Sequence, residues 1–249
     1  MSTPANKLSG GLPFEDPVQC SIPGVRGGEL AAVYYGQRLC GDFYDFVRVS
    51  PRRVVFALFD VAGDREKNRP VAIPLQKRFR IEAADLLKSD DVNELEGMVE
   101  LWIGLNAAIM RAASGVHACP AFLGCYDEEL HTVSYVNSGH TPALVKDVEA
   151  IQELKATALP MGLFSHSVPD SSLIAMGPSQ TLLLASKGVI EAKRRNEEYG
   201  LERVKQYLQE VRFDSAHETC VGLLARVRQF MGTAPTHNDV TALSLLRSR

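Results

Sequence analysis

The chain predicts an α+β fold in which helices cover antiparallel sheets, and three observations carry that prediction. Apolar runs of strand length fall into two groups along the sequence. A helical block lies between the groups, and a second precedes the last strand. Within a group the runs follow one another across short polar turns, whereas a parallel sheet would need them to alternate one for one with helices.

The elements can be justified in order. Glu29 to Tyr35 reads as a strand, and Phe43 to Val49 with Val54 to Phe59 reads as a hairpin. Val71 to Leu87 reads as a helix with Pro74 in its first turn, where a missing N–H is tolerated. Asp91 is a candidate cap for the next helix. In that helix Leu95, Met98, Val99, Trp102, Leu105, Ala108 and Ile109 recur at three and four residues, ending near Gly115. This spacing makes Trp102 a core residue. Strands return at Ala121 to Tyr126, His131 to Val136 and Pro142 to Val145, with Asp127, Glu128 and Glu129 turning between the first two. Thr181 to Ser186 is a further strand that ends at Lys187-Gly188. Glu202 to Val211 and His217 to Phe230 are amphipathic helices, and Val240 to Leu246 is the closing strand. Nothing in the composition divides the chain into two domains. Residues 1–22, rich in Ser, Pro, Asn and Gly near the start, read as a flexible tail before a single domain over 23–249.

Composition narrows the function classes. The 249 residues are 45% apolar and 23% charged, ordinary values for a soluble globular protein. A net charge of −3 gives no electrostatic case for nucleic acid or a membrane surface. No apolar run reaches the roughly 18 residues of a membrane span, and the first residues lack the apolar stretch of a signal peptide. The five cysteines have no CxxC spacing, so they indicate neither a disulfide framework nor a zinc site. Buried thiols in a reducing cytoplasm are expected.

Two acidic turns are the strongest lead to chemistry. They are Cys40-Gly41-Asp42-Phe43-Tyr44-Asp45 and Phe59-Asp60-Val61-Ala62-Gly63-Asp64. If the hairpin forms, Asp42 and Asp60 meet at one end of one sheet. Paired carboxylates repel each other unless a cation sits between them, and a hard divalent metal is the usual one. Asp42 is favoured over Asp45, because positions three apart in a strand face opposite sides. Gly41 also permits close backbone approach. The Val61 carbonyl is a suitable neighbouring oxygen. These aspartates are also residues that turns favour for their own sake. Asn137-Ser138-Gly139-His140 reads either as a plain turn or as a polar loop at the mouth of a site, with His140 moving a proton. There is no G-x-S-x-G elbow, no G-x-G-x-x-G and no Walker phosphate loop, which leaves serine hydrolases and nucleotide-binding enzymes without support.

Taken in order, the turns resemble those of PPM-type metal-dependent serine/threonine phosphatases, in the SpoIIE/RsbU branch. Gly41-Asp42-Phe43-Tyr44-Asp45-Phe46 resembles the family's GDFYDF, and Asp60-Val61-Ala62-Gly63 its DVSG. Tyr135-Val136-Asn137-Ser138-Gly139-His140-Thr141-Pro142 resembles Y-x-N-A-G-H-x-P. Leu183 to Ala192 resembles L-L-x-T/S-D-G-V-T-E-A. Leu159-Pro160-Met161-Gly162 and Asn238-Asp239-Val240-Thr241 are weaker matches to P-L-G and D-D-x-T. The resemblance runs from about Pro23 to Leu246. It implies a β-sandwich of two antiparallel sheets flanked by helices (αββα), with two Mg²⁺ or Mn²⁺ ions at one end. Those ions activate water for attack on phosphoserine or phosphothreonine. It also implies a phosphoprotein substrate or regulatory partner, such as an anti-sigma-factor antagonist.

Carried over residue by residue, the resemblance makes Asp60 a bridging metal ligand, with Val61 and Asp42 contributing to the shell. Asp45, Gly63, Asp64, Asn137, Gly139 and His140 are site-adjacent. Two ligand positions depart from the pattern. Lys187 stands where the family has the aspartate of T/S-D-G, and Asn238 stands at the first aspartate of D-D-x-T. The turn after Gly63 departs as well, to Asp64-Arg65. A protonated lysine cannot ligate a metal and repels one nearby. It can instead neutralise Asp60 or Asp42. Asn238 offers only a neutral oxygen. The chain is therefore expected to be a phosphatase domain with an altered metal centre, binding one ion or none and drawing on Asp239 as a substitute ligand. The alternatives are a non-catalytic partner-binding pseudophosphatase and an unrelated function on the same scaffold.

Overall fold

The computed structural model describes residues 21–35, 41–63, 65–113, 116–147, 150–211, 215–235 and 238–248. Most of the expected tail, together with Cys20, Cys40 and Asp64, lies outside them.

Two five-stranded antiparallel sheets stack face to face. The first is built from β1 (Gly28–Tyr35), β12 (Val240–Arg247), β9 (Thr181–Ala185), β6 (Ala143–Lys146) and β7 (Ile151–Leu154), in that order across the sheet. The second runs β2 (Asp42–Arg48), β3 (Arg53–Asp60), β4 (Ala121–Asp127), β5 (Thr132–Ser138) and β8 (Ser172–Ala175). Helices α1 (Arg65–Leu87) and α2 (Glu94–Ala112) cover the outer face of the second sheet. Short α3 (Lys187–Ile190), α4 (Gly200–Glu210) and α5 (Ala216–Met231) belong to the first, with a small hairpin, β10 (Lys193–Arg194) and β11 (Glu197–Glu198), between α3 and α4.

The pleat explains how one strand serves two layers. In β3, Val54, Phe56 and Leu58 face the other sheet, while Val55, Ala57 and Phe59 face α1 and α2. Both faces are apolar, which is why β3 has no polar alternation. Trp102 is buried in the helix layer, as expected, and its indole N–H donates to Ser138 Oγ at 2.7 Å. Among the described cysteines, Cys119, Cys125 and Cys220 are buried free thiols.

Two local expectations are corrected. Helix α1 begins at Arg65, so Pro74 and also Pro70 lie inside it instead of in a first turn. Val71, Leu75, Phe79, Ala83 and Leu87 are buried against the sheet, and that packing offsets the missing backbone bonds. Asn93, not Asp91, caps α2; its side chain accepts from the N–H groups of Leu95 and Glu96 at 3.1 and 3.4 Å. Lys187, where the strand was expected to end, opens a short helical turn. Strands β7 and β8 had no sequence signal because each is a short, half-exposed edge.

The two ends of β3 carry opposite chemistry. At its start Arg53 is 1% exposed. Its Nε lies 2.5 Å from Glu94 Oε1 and 3.3 Å from Asp127 Oδ2, and its Nη1 donates to the Ser89 carbonyl at 2.7 Å. Removing one partner of such a network leaves uncompensated buried charge. Arg53→Met is therefore expected to lower unfolding free energy by about 3–5 kcal/mol, measured by urea denaturation. A loss below about 1 kcal/mol would mean the network is solvated and contributes little.

Candidate active site

The other end of β3 is the candidate site. The β2–β3 register sets Asp42 directly opposite Asp60 and Asp45 opposite Ala57. Asp42 is 8% exposed. Its Oδ2 accepts from Thr241 Oγ1 at 2.9 Å, and its backbone N–H donates to Asp239 Oδ2 at 3.2 Å. Burial first, and then the charge of Asp60, push the Asp42 carboxyl well above the usual carboxylate range; the hydroxyls of Ser186 and Thr241 offset part of this. Asp60 is also raised. Burial is the largest cause, Lys187 pulls it back, and Asp239 and Glu191 push it up.

Close packing fixes this end. A Cβ on Gly41 would stand 2.2 Å from the Val61 carbonyl oxygen, and one on Gly188 1.9 Å from the Asp239 carbonyl oxygen, so only glycine fits at either position. The Val61 carbonyl, expected as a metal ligand, accepts from Asn68 Nδ2 of α1 at 2.7 Å; the same group reaches the Gly63 carbonyl at 2.9 Å.

The remaining predicted residues divide by role. Asp45 points away from Asp42, into the helix layer, where Arg80 Nε lies 2.6 Å from its Oδ2. This matches the strand-parity argument and makes Asp45 structural. Asn137 is a buried turn pin: its Oδ1 accepts from the His140 N–H at 2.9 Å, and its Nδ2 donates to the Leu154 carbonyl at 3.1 Å. Asp60, Gly139, His140, Lys187 and Glu191 line one cleft of about 270 Å³ together with Pro120, Thr141 and Ile190.

Lys187 Nζ forms its ion pair with Glu191 Oε1 at 3.4 Å, one helical turn on, so the expected direct pairing with Asp60 or Asp42 is not its close contact. Asn238 Nδ2 reaches Glu191 Oε2 at 3.5 Å. Lys187 and Asn238 thus meet at Glu191, a residue with no role expected from the sequence. The i, i+4 spacing of Lys187 and Glu191 was the available signal, legible only once a helix starts at Lys187. Asn68 had no such signal, because its partners are backbone atoms of another segment. Among the described residues, no three His, Cys, Asp or Glu side chains converge closely enough to hold a metal ion.

His140 has a defined tautomer. Thr141 Oγ1 donates to the Ala185 carbonyl, so it can only accept from the ring. His140 Nδ1 lies 3.2 Å from that hydroxyl and 3.1 Å from the Thr141 carbonyl. Nδ1 must therefore carry the hydrogen, and Nε2 is a bare lone pair, buried and without a hydrogen-bond partner. Burial lowers the imidazole pKa to about 4, so the ring is neutral near pH 7 and accepts protons poorly.

A two-sheet, helix-flanked sandwich with paired aspartates at one end defines a PPM-type phosphatase domain. The family model described as stage II sporulation protein E matches residues 50–248. The chain belongs to that SpoIIE family. It is 27% identical over 161 residues to the phosphoserine phosphatase RsbP of Bacillus subtilis, covering 64% of this chain but only 39% of RsbP. The PP2C domain of SiaA from Pseudomonas aeruginosa superposes with a TM-score of 0.74 at 17% identity, covering 88% of this chain and 86% of that one. A structure of the SpoIIE phosphatase domain with a regulatory fragment, from Bacillus subtilis, gives a TM-score of 0.73 at 14% identity, covering 89% and 64%. These two likenesses establish the shared fold.

The sign of the pH effect follows from the raised carboxyls. A group whose folded pKa is raised contributes stability below its unfolded value and loses it as pH climbs through the folded one. Without metal, Asp42 and Asp60 therefore cost stability as pH rises above the ordinary aspartate range. Asp42→Asn keeps an acceptor for Thr241 and removes one charge. It is expected to melt a few degrees higher than wild type at pH 7.5 in chelator, with the gap closing toward pH 4. A lower melting temperature at pH 7.5 would show that the carboxylate is already neutralised.

Proposed function

We propose that this chain is a phosphoserine/phosphothreonine phosphatase domain of the SpoIIE/RsbU type with an altered metal centre, acting on a phosphoprotein such as an anti-sigma-factor antagonist. The observation that carries the reading is the Asp42–Asp60 rung beside the cleft. Asp60 takes no hydrogen bond from any described residue, which suits a carboxylate reserved for a cation. The rest of the donor set does not match a two-metal centre. Lys187 brings a positive charge where the family has a carboxylate, Glu191 is engaged by Lys187 and Asn238, and Asp239 accepts from the Asp42 N–H. Asp60 with its neighbours fits one Mg²⁺ or Mn²⁺ at most, which when bound would neutralise phosphoryl charge and acidify a water. The protein's own groups have narrower tasks. Thr241 fixes the Asp42 carboxyl, Asn137 fixes the turn that carries His140, and Lys187 offers an ammonium at the rim.

A second reading, a non-catalytic partner-binding module, is favoured by one specific contact. Glu191 joins both altered positions through contacts within the chain, which leaves its carboxylate engaged without a metal. A single comparison separates the two. The phosphatase reading expects Mn²⁺-dependent release of phosphate from a phosphoserine peptide, reduced at least about 100-fold in Asp60→Asn. The module reading expects no turnover at high Mn²⁺, with turnover appearing in the Lys187→Asp/Asn238→Asp double variant.

A further inference from the structure

Among the described residues, the unspent side-chain hydrogen-bonding capacity of the cleft beside Asp60 is mostly acceptor. Asp60 offers a carboxylate with no hydrogen-bonded partner among the described residues. His140 lines the same cleft, is 5% exposed and has an unpartnered Nε2. Because Nδ1 is committed as a donor to Thr141, Nε2 can only accept. Glu191 supplies further acceptor oxygens, each shared at long distance with Lys187 or Asn238. The Thr141 hydroxyl is already spent on Ala185. Pro120, Gly139 and Ile190 bring no polar side chain. Among the described lining residues the one remaining side-chain donor is Lys187, itself paired with Glu191 and half exposed.

A ligand for such a wall must bring donors and positive charge. A phosphoryl group brings only acceptors and negative charge, so it is mismatched unless a cation precedes it. A bare metal ion needs several ligand atoms at roughly 2.1 Å from one point, and no three such side chains among the described residues converge that closely. A guanidinium has five donors in a planar fork and can serve acceptors that are spread apart. The cleft, at about 270 Å³, has room for it.

We propose that the Asp60–His140–Glu191 cleft binds the guanidinium of an arginine side chain from a protein partner, with Asp60 and His140 Nε2 accepting its hydrogen bonds and Lys187 displaced from Glu191. The inference extends the module reading above, and its test is separable from that of the phosphatase reading.

The probe is N-acetyl-arginine amide, titrated into the full chain by calorimetry with chelator present, with N-acetyl-citrulline amide as the uncharged isostere. Binding of the arginine probe in the millimolar range is expected, with none of the citrulline probe. Asp60→Asn should weaken it about tenfold. Lys187→Met, which removes the competing resident cation, should tighten it severalfold. Melting curves establish that both variants fold. Free arginine should bind no better than the capped probe; tighter binding would make the ligand an amino acid and overturn the partner-side-chain assignment. No heat up to about 20 mM probe, equal binding of citrulline, or unchanged affinity in both variants would overturn the inference. Mn²⁺ binding without arginine-amide binding would overturn it too, while leaving the phosphatase reading intact.

Discussion

The arrangement of this protein depends on the register of one hairpin. Pairing Asp42 with Asp60 across β2 and β3 puts two carboxyls side by side at the buried end of a strand that is apolar on both faces. Everything near them answers that constraint. Thr241 and Asp239 reach across from the other sheet to engage Asp42, and two glycines let backbones approach where no Cβ would fit. The opposite end of β3 shows what a settled solution looks like. There Glu94 and Asp127 face Arg53, a buried cation covalently part of the sheet, and the charges close on themselves. At the Asp60 end the cation lining the cleft among the described residues is Lys187, held by Glu191. One end of the strand is satisfied internally, whereas the other is left short of positive charge. Such asymmetry is expected where binding or chemistry occurs.

The fold was legible because its main signals are local. The two apolar strands with acidic turns at their ends, the helical period through Trp102, and the strand that ends at Ser186 each carry their own periodicity. The order of the motifs then gave the family. Signals failed where structure is made at a distance. The start of α1 depends on packing strong enough to hold two prolines inside a helix, and edge strands β7 and β8 have one paired neighbour and little apolar pattern. At the site, the sequence singled out Asp42, Asp60, Lys187 and Asn238, and the structure sets Asp42 opposite Asp60 and brings Lys187 and Asn238 together at Glu191. The sequence could not foresee that Asn68 would engage the Val61 carbonyl or that Asp45 would be taken by Arg80, because those partners come from a helix whose placement only the tertiary fold defines.

The histidine shows how much a neighbour's hydrogen bond can decide. As a sequence feature His140 is a candidate proton shuttle, because imidazole titrates near neutrality. In the fold the Thr141 hydroxyl gives its hydrogen to Ala185, which obliges the ring to donate through Nδ1 and leaves Nε2 as an acceptor. With the pKa lowered to about 4, a proton on Nε2 is disfavoured near pH 7. A residue that sequence reasoning would cast as an acid is thus cast by its surroundings as a fixed acceptor.

Lys187 and Asn238, read from the sequence as departures from the motifs it resembles, are joined in the structure. Lys187 and Asn238 lie far apart in sequence yet both contact Glu191, one through each carboxylate oxygen. An aspartate restored at 187 alone would sit one helical turn before Glu191 with no cation between them, a like-charge pair of the kind that destabilises helices. An aspartate restored at 238 alone would face the same carboxylate while Lys187 still held it. Residues that share a partner do not act additively. The pair therefore behaves as a unit through its shared carboxylate, and neither half accounts for the state of the cleft without the other.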